Sequence, residues 1–528
     1  METIIVPVDG ATNIKLEVLD YHSLQPLFSR VAATPVTVFE GLQYNATGEQ
    51  FAWYENIIAR LPGEYREVKV IASAARGASG GLIGRDNTLT EVPGGGLTLA
   101  YTQSYSDAVE DIFRNLAGSA EDFFLETGSI RDYPGSLTLL KRFVFEELER
   151  PEVLKRADSF ATYGILLAGH FLGPDYLEAA RRSANEHSYW MCHTGARDIN
   201  KAPGTVSSQG RRIESFTRLV RGSPSTVYRP LGPVSGKQAG ALGISPQALV
   251  VPGGHDTCLS HIPVIAAFNS AFPEMAGQPA IHLEAGSWTM VSLIGGDGEL
   301  PRDGYRRGVI VQGTVDGSPV VTSMYGGGRD FKYLSSLLEK HRIRAGGEFN
   351  EHLLEKVLDA ADCFVLPNID PRNHSTGPFP ELKGRIINQN AFFRDRATAM
   401  VLANLCVAIT AAYQIDTVCQ DRRPPVIVTG GGSKDPCFGR LLATLARRKV
   451  YALYDRKGNQ LSETTSLGAA IAGKAACLDV HPYEVDIGGV GLTCRELDPF
   501  SAGIDGKLDA YRERYMKKLA RAEQARAE

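Results

Sequence analysis

The chain is 528 residues and 57.2 kDa, beyond the ~100–200 residues of one ordinary domain, so two or three domains are expected. Its 22% charged and 43% apolar composition is that of an ordinary globular chain and excludes disordered, collagen-like and coiled-coil classes. With 56 basic against 60 acidic residues the net charge is −4, so no global field points to nucleic acid or an anionic membrane.

From the N-terminus, Glu2 and the short run Ile4-Ile5-Val6-Pro7-Val8 do not make the basic start and long apolar stretch of an export signal. That run is β-rich and leads through Asp9-Gly-Ala-Thr12-Asn13 into Ile14 to Asp20, which alternates with period two: a hairpin whose tip carries an acid, a glycine and a hydroxyl. Gly48 to Leu61 has helical spacing, and Val68 to Ser73 reads as a buried strand ending in the Gly-rich Arg76 to Gly81. Leu137 to Leu172 reads as helical, with Pro151 opening a second helix, and 195–236 as loop-rich. Ala248 to Pro252 is a strand feeding Gly253-Gly-His-Asp256-Thr257, followed by a helix from Leu259 to Phe268, whole or broken at Pro263.

A second cycle begins with the hairpin His282 to Ile294, whose tip is Gly286-Ser287-Trp288. Asp395 to Val418 is a long amphipathic helix, Pro425 to Thr429 a strand entering Gly430-Gly-Gly-Ser433, Pro436 to Arg448 a helix, Lys449 to Leu453 a strand, and Glu463 to Leu478 a Gly/Ala-rich helix. The tail from Leu508 reads as a charged, solvated helix. Strands alternating with helices predict the α/β class. No stretch approaches the ~18 uninterrupted apolar residues of a membrane helix. The eight cysteines, 192, 258, 363, 406, 419, 437, 477 and 494, form no C-x-x-C pair and read as reduced, mostly buried thiols of a cytoplasmic protein.

The turns are where chemistry is expected. Strand ends rich in Gly and Ser/Thr expose backbone N–H groups that can wrap an anion, and two such tips on facing domains would bracket the phosphates of a nucleotide. Asp9 at the first strand end could hold Mg²⁺ directly or through water, since hard cations take carboxylate oxygens. Gly430-Gly-Gly432 lies between a strand and a helix, allowing close approach of a phosphate to a helix N-terminus, without the spacing of a dinucleotide fingerprint. Asp256, heading an apolar helix, can take a hydroxyl proton or serve only as a helix cap; His255 beside it reads as structural.

These stations resemble, in order and in the elements that carry them, the FGGY carbohydrate kinases, with the closest likeness to the branch of rhamnulokinase and fuculokinase. The matching text is Val8-Asp-Gly-Ala-Thr-Asn-Ile-Lys15, Pro252-Gly-Gly-His-Asp-Thr257, Ala285-Gly-Ser-Trp288 and Val428-Thr-Gly-Gly-Gly-Ser-Lys434. Glu463-Thr-Thr-Ser-Leu-Gly468 resembles the family's final Thr-x-x-Gly helix start, and Glu126-Thr-Gly128 and Leu139-Leu-Lys-Arg142 its N-terminal helical part. The likeness spans roughly residues 4–480.

The resemblance implies a two-domain sugar kinase, Hsp70 and actin-like (ribonuclease H-like) fold with an interdomain cleft. An N-terminal domain at 1–262 would bind sugar and carry the base, a C-terminal domain at 263–500 would bind nucleotide, and 501–528 would be a charged helical tail. It implies ATP and Mg²⁺, with Asp256 as catalytic base and Asp9 organising the metal. Thr12, Asn13, Lys15, Ser287, Gly431, Gly432 and Asp435 would line the phosphates and nucleotide, and Arg76 and Gln103 would touch substrate. The partner would be a small sugar or polyol, not nucleic acid or membrane, and a homodimer is compatible with all of this.

Three departures stand out. Asp9 to Lys15 spans six positions where the family has seven, Gly286-Ser287 replaces Gly-Thr, and no D-x-R substrate motif is visible near 101–107. The reading is therefore an ATP-dependent sugar kinase, with a nucleotide- or sugar-binding sensor or assembly protein on the same scaffold as its rival. A nicotinamide-dependent oxidoreductase would need a ribose-capping acid about 20 residues beyond the glycines, for which Asp455 is the contender. The histidines, among them His187 and His193 six apart, include no H-x-x-x-H or H-E-x-x-H pattern for zinc.

Overall fold

The computed structural model describes residues 1–173, 188, 194–220, 224–343, 349–373 and 376–527; His187, Cys192, His193 and His374 lie outside the described residues. The chain forms two compact units. The first comprises Met1–Ser270, Val311–Val320 and Glu463–Leu492, and the second Ala271–Ile310, Val321–Ser462 and Thr493–Glu528. The division is not a single cut: the helix Asp256–Ala271 runs through the expected boundary at 262, and a later segment returns to the first unit.

In the first unit, β1 (Glu2–Asp9) pairs antiparallel with β2 (Asn13–Asp20), followed by the edge strand β3 (Pro26–Ala33). Strand β4 (Glu67–Ala75) runs parallel to β1, and β6 (Leu249–His255) parallel to β4, with the short β5 (Gly232–Pro233) at the edge. The order is β5-β6-β4-β1-β2-β3. Strand alternation sends Ile5 and Ile71 to one face, packed with Phe51, Ile58 and Ile165 of the helices Thr47–Ile58 and Tyr163–His170. Ile4, Val6 and Val70 go to the other face, packed with Ala469 to Ala472 of the helix Thr465–Leu478. Parallel strands covered on both sides read as near-continuous apolar runs, which is how β1 and β4 appear in the sequence.

One expected helical stretch is interrupted. Within 137–172, Ala157–Thr162 is a strand paired antiparallel with Gly80–Gly84. Its Phe160 packs edge-on against Phe143, 5.3 Å between centroids, so non-local pairing and burial override the local pattern. The helix after Asp256 continues through Pro263 unbroken.

A seven-stranded sheet, most of it in the second unit, comprises β7 (Ala280–Ala285), β8 (Thr289–Ile294), β9 (Val309–Gly313), β10 (Pro319–Tyr325), β11 (Val426–Thr429), β12 (Val450–Tyr454) and β13 (Thr493–Glu496). The order is β9-β10-β8-β7-β11-β12-β13, with β7, β11 and β12 parallel. The helix Arg396–Val418, capped by Asp395 Oδ1 accepting from Thr398 N at 2.8 Å, is the one helix among the described residues long and apolar enough to cross a membrane. Its most apolar window is 83% buried inside the protein, which makes it a core helix here.

The charged tail is not a wholly solvated helix. In Ala502–Ala527 the residues Ile504, Leu508, Tyr511, Tyr515 and Leu519 recur every three or four positions and are buried. Tyr511 stacks on Phe364 at 4.8 Å and donates to Cys363 O at 2.8 Å. The charges that dominate the composition lie on the other face. Among the described residues the cysteines are free thiols; Cys477 and Cys494 are partly exposed and the rest buried.

Candidate active site

Three parallel strands of the first unit end side by side. Asp9 at the end of β1 and His255 at the end of β6 both stand in register with Ala75 at the end of β4. The next residues, Arg76 and Asp256, therefore emerge at one carboxyl edge, the edge at which open α/β sheets bind ligands. Strand β6 reaches it only because residue 253 is glycine. There φ is +63°, a Cβ would lie 1.6 Å from Ser73 O, and the ladder slips register between Val251 and Gly254. The glycine pair expected to follow the strand as a turn thus belongs to the strand itself, and the helix begins directly at Asp256.

Asp9 is fully buried. Its Oδ2 accepts from Arg76 Nε at 2.6 Å, and its Oδ1 accepts from Arg76 Nη2 at 2.5 Å and from Gln50 Nε2 at 2.6 Å. Gln50 is oriented in turn by Tyr163, whose hydroxyl donates to Gln50 Oε1 at 2.7 Å. Burial works to lower the Arg76 pKa, yet the adjoining Asp9 carboxylate raises it overall. Neither Gln50 nor Tyr163 was singled out in the sequence. The available signal was one polar residue on the apolar face formed by Phe51, Tyr54 and Ile58.

This geometry does not fit Asp9 as a direct Mg²⁺ ligand: both oxygens are engaged by donors, and no surface is left for a cation or its water. Among the described residues no group of three or more His, Cys, Asp or Glu could hold a metal.

Asp256 is different. About 34% of its side chain is open to solvent, and burial of the rest pushes its carboxyl up to about 6. Thr257 N donates to Oδ1 at 2.8 Å, and His255 Nε2 lies 3.3 Å from the same oxygen. Burial holds His255 down to about 4, so the imidazole beside the acid is neutral near pH 7. A partly open carboxylate with its pKa near neutrality can accept a hydroxyl proton.

The remaining first-unit candidates are spread out. Thr12 and Asn13 are exposed at the hairpin tip, where Gly10 N donates to Asn13 O at 3.0 Å. Lys15 Nζ is matched by Glu17 at 3.2 Å and Glu463 at 2.9 Å. Gln103 is committed to its own loops: Oε1 accepts from Gln43 N at 2.8 Å and Nε2 donates to Ser104 O at 2.6 Å. Of the expected residues, the fold brings Asp9, Arg76 and Asp256 together and leaves Lys15 and Gln103 in other bonds.

The second unit repeats the motif of adjacent parallel strand ends. Glu284 of β7 pairs with Thr429 of β11, so the exposed Ser287 tip and the exposed Gly431 and Gly432 of the turn Gly431–Lys434 follow neighbouring strands. Gly430, at φ +87°, passes so close to Ala285 that a Cβ would meet its backbone at 2.6 Å, whereas a Cβ on Gly431 would meet nothing within 4 Å. Asp435 caps the helix Pro436–Leu445, accepting from Cys437 N at 2.9 Å and from Asn404 Nδ2 at 2.9 Å.

A second glycine triplet, Gly326 to Gly328, escaped the sequence reading. It opens the helix Gly327–Lys340 against the Ser287 tip, where a Cβ on Gly328 would lie 2.2 Å from Gly286 O. Arg329 covers the Trp288 ring at 4.0 Å. Such a glycine turn beside a helix start offers N–H groups to an anion. Asp455 accepts from Lys457 N and Asn459 N, both at 2.8 Å, and so closes its own turn.

Residues 278–479 match the family described as Carbohydrate kinase FGGY, C-terminal domain. Among curated proteins none matches the chain. Solved structures share the fold over almost the whole length. A carbohydrate kinase from Novosphingobium aromaticivorans is 20% identical over 99% of this chain and 100% of its own, with a TM-score of 0.72. Plasmodium falciparum glycerol kinase with ADP is 12% identical over 98% of both chains, TM-score 0.74. Gluconate kinase from Lactobacillus acidophilus is 13% identical over 99% and 98%, TM-score 0.72.

Proposed function

We propose that this chain, whose residues 278–479 match the C-terminal domain of the FGGY carbohydrate kinases and which has the two-domain α/β fold of solved sugar kinases, phosphorylates a hydroxyl of a small sugar or polyol with ATP. The observation that carries the reading is Asp256: a partly open carboxylate at the shared strand edge, its pKa raised to about 6. In the reaction it takes the proton of the acceptor hydroxyl, the oxygen forms a bond to the γ-phosphorus, the bond to the β–γ bridging oxygen breaks, and ADP leaves. A positioned general base is worth on the order of 10²–10⁴ in rate. The sugar side is assigned to the first unit. The nucleotide side is assigned to the second, with Ser287, Gly431 and Gly432 along the phosphates. Mg²⁺ enters with the nucleotide as the MgATP substrate, bound by phosphate oxygens.

The acceptor class we favour is a ketose, deoxy-ketose or polyol. A coupled ADP-release assay with xylulose, rhamnulose, fuculose, gluconate and glycerol tests it, and sugar-dependent ADP with one of them is the expected result. Two observations favour a second reading, a nucleotide- or sugar-binding sensor: the closed Asp9 carboxylate and the neutralised Lys15. Measurable ATP binding without sugar-dependent ADP for any acceptor would establish that reading instead.

A further inference from the structure

We propose that Asp9 serves the reaction through Arg76 rather than through a cation: Asp9, Gln50 and Tyr163 clamp the Arg76 guanidinium at the strand edge, where it is the fixed positive charge facing the Asp256 carboxylate. The inference rests on the reading of Asp256 as the base. Three observations support it. First, the register sets Asp9 and His255 on either side of Ala75, so Arg76 leaves the middle strand of three, between the two acids' strands. Second, the clamp is over-determined. Two parallel N–H bonds fix the plane of the guanidinium, Gln50 bridges to Asp9, Tyr163 holds Gln50, and the Tyr163 ring lies 5.6 Å from the guanidinium carbon.

Third, this anchoring leaves the fully buried Asp9 with donors on both oxygens and no surface open to a metal, while Arg76 Nη1 lies outside the pair. Among the described residues, the charged and titratable groups around Asp256 include Arg76, whose charge opposes the effect of burial, and the neutral His255; those around Arg76 include Asp9, Tyr163, Tyr101, Tyr54 and Asp256 itself. Arg76 is thus a positioning residue. Together with the Thr257 N–H, which donates to the same carboxylate at 2.8 Å and weighs more, its charge opposes the burial that raises the Asp256 pKa.

Two readouts on the full chain test this. The first is the titration midpoint of the Asp256 carboxyl, followed by difference infrared spectroscopy against Asp256→Asn. The second is the acid limb of kcat/KM. The double variant Asp9→Asn with Arg76→Gln removes both charges while leaving a polar side chain at each position, and should move both midpoints upward by about half a pH unit or more. Tyr163→Phe, a milder change, should move them the same way by less. In Asp9→Asn alone, the free Mg²⁺ giving half-maximal rate should stay within about twofold of the wild type, because no inner-sphere ligand is lost. An unmoved Asp256 midpoint in the foldable variants, or a tenfold rise in the Mg²⁺ requirement of Asp9→Asn, would overturn the proposal. A wild type that releases no sugar-dependent ADP yet shows the infrared shift would instead fail the kinase reading and leave the clamp standing.

Discussion

Arg76 grips both carboxylate oxygens of Asp9, Nε on Oδ2 at 2.6 Å and Nη2 on Oδ1 at 2.5 Å, with both side chains buried. A buried pair of this kind is costly to break from one side, because the survivor keeps an uncompensated charge. Arg76→Met alone should destabilise the protein by about 3–5 kcal/mol in urea unfolding, while Asp9→Asn with Arg76→Met should recover most of that loss. Equal losses in the single and double variants would mean the pair is not coupled.

Asp256→Asn should lower turnover at least ~100-fold with MgATP affinity retained, since it removes the proton acceptor and little volume. The base must be ionised, and its folded pKa is about 6. The wild-type kcat/KM should therefore fall as pH drops through about 6 and level off above it. Turnover unchanged in Asp256→Asn would remove this residue from the mechanism.

Two adjacent glycines should separate folding from binding. Gly430→Ala places a Cβ 2.6 Å from the Ala285 backbone at φ +87° and should cost at least about 3 kcal/mol or abolish folding. Gly431→Ala meets open space and should leave stability within about 0.5 kcal/mol. If the turn approaches a phosphate, Gly431→Ala should still raise the KM for ATP.

Removing the Tyr515 side chain tests the C-terminal helix. Tyr515 is buried, and its hydroxyl lies 3.6 Å from Cys406 Sγ. Tyr515→Ala should cost about 3–5 kcal/mol, as other buried aromatic truncations do. A solvated tail would lose nothing, and the melting temperature of the two proteins would then coincide.

Glu146 carries a pH dependence of stability. Burial pushes its carboxyl up to about 7, against the pull of Arg142 and Arg150. The native state then binds more protons than the unfolded chain between about 4.5 and 7. Stability should decline as pH rises through that window and flatten above it. In Glu146→Gln, this part of the slope should vanish from a series of melting temperatures.

Much of this fold was legible locally. The alternation from Ile14 to Asp20, the apolar run before Asp9, and the strand before Gly430 follow from periodicity, and each is a strand in the structure. Asp256 at a strand-to-helix junction was legible too. What escaped depended on partners distant in sequence. Residues 157–162 became a strand by pairing with 80–84. Gly253 entered a strand because Ser73 lies against it. The tail docked because its sparse apolar residues share one helical face.

By itself the amino-acid order settled many of the strands and helices and where glycines and acids punctuate them, since those depend on neighbours a few positions away. Only the folded chain decided what each side chain meets. The register of three parallel strands turned Asp9 from an open ligand into the closed partner of a residue 67 positions away, and left Asp256 the exposed acid. Burial and hydrogen bonding are properties of the space around a group, and that space is assembled from the whole chain.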